Sequence, residues 1–70
     1  MFDYQKLKGK IVEVFKTQAA FAEAMDMDLT SLNQRLNGKV EWKAPEMVKA
    51  CRLLGIELSD NWQYFFVKKL

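Results

Sequence analysis

The sequence predicts an all-α fold, a compact five-helix single domain spanning residues 1–70. Three observations point there. Apolar residues recur at helical spacing from Tyr4 to Phe15 and again in later blocks. Capping residues and glycines punctuate those blocks where helices should begin and end. Strand-like alternation is absent, apart from weak signals in residues 38–43 and in the tail. Half of the 70 residues are apolar and 13% are aromatic, enough for one small core.

The first helix is expected from about Asp3 to Phe15, with Tyr4, Leu7, Ile11, Val14 and Phe15 turned inward. Asp3 is its candidate cap, and Gly9 weakens it modestly. Thr17 caps a second helix whose buried face is Phe21, Ala22 and Met25. A turn through Asp26 and Met27 leads to Asp28, the next N-cap. The third helix, Leu29 to Leu36, buries Leu32 and Leu36, and Asn37-Gly38 closes it in the left-handed conformation that glycine tolerates. After the NGKVEWK loop, Pro45 suits the first turn of a fourth helix. That helix turns Val48, Cys51 and Leu54 inward until Gly55 stops it. Ser59 is the candidate cap of a last short helix carrying Trp62, Phe65 and Phe66, with Trp62 and Phe65 expected in the core. The tail VKKL is expected to fray or to form a short extended piece.

Charge is distributed unevenly. The chain as a whole carries +2, yet residues 17–38 hold Glu23, Asp26 and Asp28 against Arg35 alone. The flanking segments, 1–16 and 39–54, are each net basic. Binding to a phosphate backbone draws its affinity from cations, so an acidic centre is unusual for a nucleic-acid reader.

Residues 17–39, TQAAFAEAMDMDLTSLNQRLNGK, have the spacing of a helix-turn-helix with the unit at 17–38. The pattern resembles the Cro/CI-type, lambda-repressor-like proteins of temperate phages through Thr17-Gln18-Ala19, Phe21-Ala22, Met25, Ser31-Leu32 and Asn37-Gly38-Lys39. The likeness continues through Pro45 and LLGIELSDNW, so it covers nearly the whole chain. The lead-in FDYQKLKGKIVE looks like small Cro-like or modulator-of-repression antirepressor proteins of phages infecting Gram-positive bacteria. The resemblance implies a transcriptional regulator of the lysis–lysogeny switch. It implies DNA contacts from Gln18 at a phosphate, from Leu29, Thr30, Asn33 and Gln34 at base edges, and from Asn37, Lys39 and Lys43 on the backbone beyond. Asn33 and Gln34 face solvent if Leu32 and Leu36 are buried, and amides pair well with adenine.

The departures from the family pattern carry a second reading. Position 26 usually holds glycine in such proteins, because the turn needs positive φ; an aspartate tolerates that conformation at modest cost. Asp28 has a plain role as a cap. Taken together, however, Glu23, Asp26 and Asp28 would repel phosphates and attract the basic DNA-reading surface of another repressor, with Met27 and Leu29 as an apolar centre. Two mechanisms therefore stand. One is an antirepressor that binds the phage CI-type repressor directly through Glu23, Asp26, Met27, Asp28 and Leu29. The other is a Cro-like operator-DNA binder that reads the major groove with helix 29–36. A helical interaction module without regulatory role is the third.

Other chemistries lack their residues. There is no histidine, and the single Cys51 falls on the apolar stripe of the fourth helix, so catalysis, a cofactor and a zinc site are not expected. The lysines at 6, 8 and 10 read as a solvated helix face. Trp42 sits in a loop, either packed on the fourth helix or serving as an interface anchor. One cysteine and no bilayer-length apolar run point to the host cytosol. A homodimer is possible, since two-fold operators suit dimers.

Overall fold

The computed structural model describes residues 2–68 and contains five α-helices in chain order. They are α1 Gln5–Phe15, α2 Gln18–Ala24, α3 Leu29–Leu36, α4 Ala44–Leu54 and α5 Trp62–Phe65, with a 3₁₀ turn at Leu58–Asp60 before α5. Helix α1 packs against α2, α4 and α5, and α2 packs against α3. The core is a single cluster. Leu7 and Ile11 come from α1, Phe21 and Ala22 from α2, Leu32 and Leu36 from α3, and Ala50, Cys51 and Leu54 from α4. Tyr4, Met25, Trp42, Ile56 and Phe65 complete it. Each large member is worth roughly 2–5 kcal/mol against truncation to alanine.

Local chemistry explains where the helices stop. The Thr17 hydroxyl accepts the Ala20 N–H at 3.1 Å, and the Asp28 carboxylate accepts the Ser31 N–H at 2.7 Å, each supplying an acceptor for a first-turn donor. Helix α3 closes with paired bonds from Lys39 N–H to Gln34 C=O and from Gly38 N–H to Arg35 C=O, around Gly38 at φ 75°. Helix α2 closes identically in pattern. Met27 N–H reaches Ala22 C=O and Asp26 N–H reaches Glu23 C=O, with Asp26 itself at φ 60°. The expected left-handed turn residue at 26 is therefore real, and a non-glycine side chain occupies it. Gly55, at φ 70°, ends α4.

Several expectations need correction. Helix α1 begins at Gln5 rather than Asp3, although the Asp3 carboxylate still accepts the Gln5 N–H at 2.9 Å. Val14 is exposed, because α1 turns Leu7 and Ile11 to the core and Val14 lies off that stripe. Val48 is exposed and Ala50 takes the buried place beside Cys51. Ser59 caps nothing; it lies inside the 3₁₀ turn, and no side chain caps α5. Trp62 is 59% exposed, since the short α5 has room to bury only Phe65 on its inner side. Phe66 is exposed and Tyr64 half-buried against the core.

The first and last described residues meet. Asp3 N–H bonds to Val67 C=O, Phe2 and Lys68 form an isolated antiparallel bridge, and the Phe2 and Phe66 rings meet edge to face. The expected extended piece thus appears as one bridge, and Lys69 and Leu70 lie outside the described residues. Lys6 is drawn into this region by the Gln63 amide oxygen at 2.8 Å and the Tyr64 ring. Lys10 pairs with Glu13. Residues 38–43 form a bend without strand pairing. No helix among the described residues is long and apolar enough to cross a membrane.

Candidate functional site

Helices α2 and α3 are joined by the turn Met25–Asp28, which brings the residues singled out by sequence to one end of α3. Met25 is buried beneath the turn and Met27 is half-buried on the core, so the turn is anchored by apolar contacts from below. Met27 consequently offers only part of its side chain outward. Leu29 is 41% exposed, a large apolar side chain at the start of α3 that directly follows Asp28. Glu23, Asp26 and Asp28 are all exposed.

Electrostatics separate the three acids. Asp28 is held below the usual carboxylate range, first by the backbone N–H of Ser31, then by the Ser31 side chain, with the Arg35 charge a smaller contribution. Asp26 meets the Lys49 ammonium of α4 at 3.4 Å, an exposed pair that contributes little to stability. Glu23 has no ion-pair partner among the described residues.

Arg35 is the sole cation of the helix-turn-helix unit, and it is engaged elsewhere. Its Nε and Nη2 donate to the two carboxylate oxygens of Glu46 at 3.0 and 2.9 Å, and its Nη1 donates to the Ser31 carbonyl at 3.0 Å. Both side chains are largely buried, at 13% and 21% exposure. Glu46 also accepts the Lys43 N–H at the start of α4, and its carboxyl is held low chiefly by the Arg35 hydrogen bonds. This fork clamps α3 to α4 and removes the unit's one positive charge from its outer face. Neither Glu46 nor Lys49 was singled out by sequence reading. Glu46 carried a weak signal as the third residue of α4, a common capping place, but its partner lies eleven residues back.

The residues expected at DNA occupy a second, adjoining surface. Leu29, Thr30 and Gln34 are exposed along α3, while Asn33 is half-buried and so less available than its neighbour. Gln18 is half-buried at the start of α2, and Asn37, Lys39 and Lys43 are exposed beyond the far end of α3. Glu23 stands in the last turn of α2, Asp26 in the connecting turn, and Asp28 and Leu29 at the start of α3, all four exposed. The lysines belong to the opposite end of the helix, which at eight residues spans about 12 Å.

Among the described residues no group of three or more potential metal ligands occurs. Cys51 is buried, and burial raises its thiol pKa.

Comparison with known proteins places this geometry in a family. The model of a family described as a protein of unknown function (DUF739) matches residues 1–68. The solution structure of the modulator of repression (MOR) of the temperate bacteriophage TP901-1 from Lactococcus lactis is similar at 42% identity and a TM-score of 0.82. That match covers 93% of this chain and 88% of the other. No functionally curated protein is similar at a significant level. The agreement in sequence and in fold over almost the entire chain makes this a MOR-like phage protein, a member of the DUF739 family.

Proposed function

We propose that this chain is an antirepressor of a phage lysis–lysogeny switch, binding a CI-type repressor through the acidic turn between α2 and α3 and blocking or modulating its operator binding. Glu23, Asp26 and Asp28 supply negative charge at the positions where a repressor's DNA-reading surface otherwise meets phosphates. Leu29, with the exposed part of Met27, supplies the apolar centre that desolvates on docking. Charge of this kind accelerates encounter and excludes like-charged partners, while the apolar centre holds the complex. The observation that carries the reading is the Arg35–Glu46 fork. With Arg35 tied to Glu46 its charge acts only weakly on Asp28, and the cation that pairs with the turn is the half-buried Lys49 beside Asp26. Similarity to a protein titled a modulator of repression supports the same conclusion.

A Cro-like operator binder is the second reading, favoured by the exposed Thr30 and Gln34 on α3 and the exposed Asn37, Lys39 and Lys43 beyond it. In that case Asp26 and Asp28 serve only as turn and cap. A paired titration separates the two. Asp26→Asn combined with Asp28→Asn removes both charges while asparagine keeps the left-handed turn and the cap. The antirepressor reading expects repressor binding to be abolished with the fold intact. Unchanged repressor affinity, together with steeply salt-dependent binding of operator DNA by the protein alone, would transfer the function to DNA.

A further inference from the structure

Helix α4 trades charge with the helix-turn-helix unit along one flank. Glu46 and Lys49 stand three residues apart on α4 and so share a face. Glu46 takes the guanidinium of Arg35, whereas Lys49 sets its ammonium 3.4 Å from Oδ2 of Asp26 in the turn. One contact withdraws a cation from the unit and the other returns one to it.

The partners of the returned pair differ in freedom. Asp26 is held at φ 60° by the closure of α2, and its side chain stands 90% exposed. The Lys49 ammonium ends a flexible four-carbon stem that crosses to the turn from another helix. Among the described residues that ammonium has no second partner. A movable cation therefore covers a fixed carboxylate.

We propose that Lys49 is an internal competitor at the docking site: its ammonium occupies Asp26 in the free protein, and the repressor must displace it with a cation of its own. The role rests on the antirepressor reading and adds a specificity determinant to it. Replacing one cation by another at an exposed carboxylate is close to neutral in free energy. A partner that offers charge alone thus gains little at Asp26. A repressor that also covers Leu29 and the exposed part of Met27 keeps the apolar gain. Glu23 and Asp28 have no ion-pair partner among the described residues, so they remain open to steer the first encounter. Lys49 in this way turns a patch attractive to any polycation into one that rewards a matched surface.

Two titrations test this, one by calorimetry with the full-length CI-type repressor of the same phage, the other by NMR with N-acetyl-tetraarginine amide. The peptide supplies cations without an apolar surface and is followed at the Asp26 and Asp28 amides. Lys49→Gln should bind both probes roughly two- to five-fold more tightly at low salt, the range of one exposed ion pair. The gain should vanish at about 0.5 M salt, where exposed charges are screened. Lys49→Arg should keep the original affinity. Most of the gain should be lost when Lys49→Gln is made in Asp26→Asn, since the contested carboxylate is gone. Lys68→Gln, at an exposed position bridged to Phe2, controls for net charge and should change little. Should Lys49→Gln fail to fold, Lys49→Met keeps the apolar stem and repeats the test.

Weaker or unchanged binding in Lys49→Gln overturns the proposal, as does an equal gain in Lys68→Gln or a gain that survives in full in Asp26→Asn. If repressor binds neither the original protein nor Lys49→Gln, the antirepressor reading fails, and the tetraarginine titration still decides whether Lys49 competes for Asp26. No response to the peptide from either form would also overturn the role.

Discussion

Breaking the Arg35–Glu46 fork tests both the architecture and the charge argument. Two charge-assisted hydrogen bonds at 3.0 and 2.9 Å join side chains that are 13% and 21% exposed, so the pair lies between the surface and buried regimes. Exposed pairs contribute up to about 1 kcal/mol, while stripping one partner from a fully buried pair costs about 3–5. An intermediate cost of about 2 kcal/mol is expected for Glu46→Gln, which keeps the size but removes the charge. In a domain this small that corresponds to a fall in Tm of roughly 8–16 °C. A double-mutant cycle with Arg35→Met, followed by urea unfolding and circular dichroism, isolates the coupling from the separate loss of the Ser31 carbonyl contact. Releasing the guanidinium also returns a cation to the unit that carries the acidic turn, so Glu46→Gln should bind repressor more weakly than the loss of stability alone explains. A coupling below about 0.5 kcal/mol would refute the clamp, because pairs of that size are ordinary surface pairs. Unaltered repressor affinity in a folded Glu46→Gln variant would refute the electrostatic consequence drawn from it.

Other expectations follow from single features. Gly9→Ala should stabilise α1 by about 1 kcal/mol in thermal unfolding, since an added methyl meets nothing within 4 Å; a destabilised variant would contradict the open helix face. Asp26→Gly should relieve the left-handed backbone at φ 60° and raise stability by about 1 kcal/mol while lowering repressor affinity, a separation that no purely structural role for Asp26 produces. Thr17→Ala should cost about 1 kcal/mol through loss of the α2 cap, measured by urea midpoint. Acid should destabilise the fold. Glu46 and Asp28 are both held below the usual carboxylate range when folded, so their stabilisation is complete above about pH 4.3 and drains away as the pH falls through the lower folded-state values. A Tm profile from pH 7 to pH 2.5 should show this slope, reduced in Glu46→Gln; identical slopes in both proteins would count against Glu46.

Short-range signals in the sequence already specified much of this protein. Thr17 and Asp28 cap, Gly38 and Gly55 terminate, and Leu32 and Leu36 face inward, because each depends on residues within one or two turns of itself. The left-handed Asp26 followed from the resemblance, whose pattern usually holds glycine at that position. Helical spacing could not decide which apolar residues lie inside once more than one face was apolar. Val14, Val48 and Trp62 stayed outside because neighbouring helices cover only one side of α1, α4 and α5. Trp42 was open to either reading, and only the packing of α5 through Phe65 buried it. The candidate site divides along the same line. Its acids were visible as a run of charge, whereas the Arg35–Glu46 and Asp26–Lys49 pairs join α3 and the turn to α4 across 11 and 23 residues. Chain folding alone brings such partners within hydrogen-bond distance, and that meeting determines the net charge the turn presents.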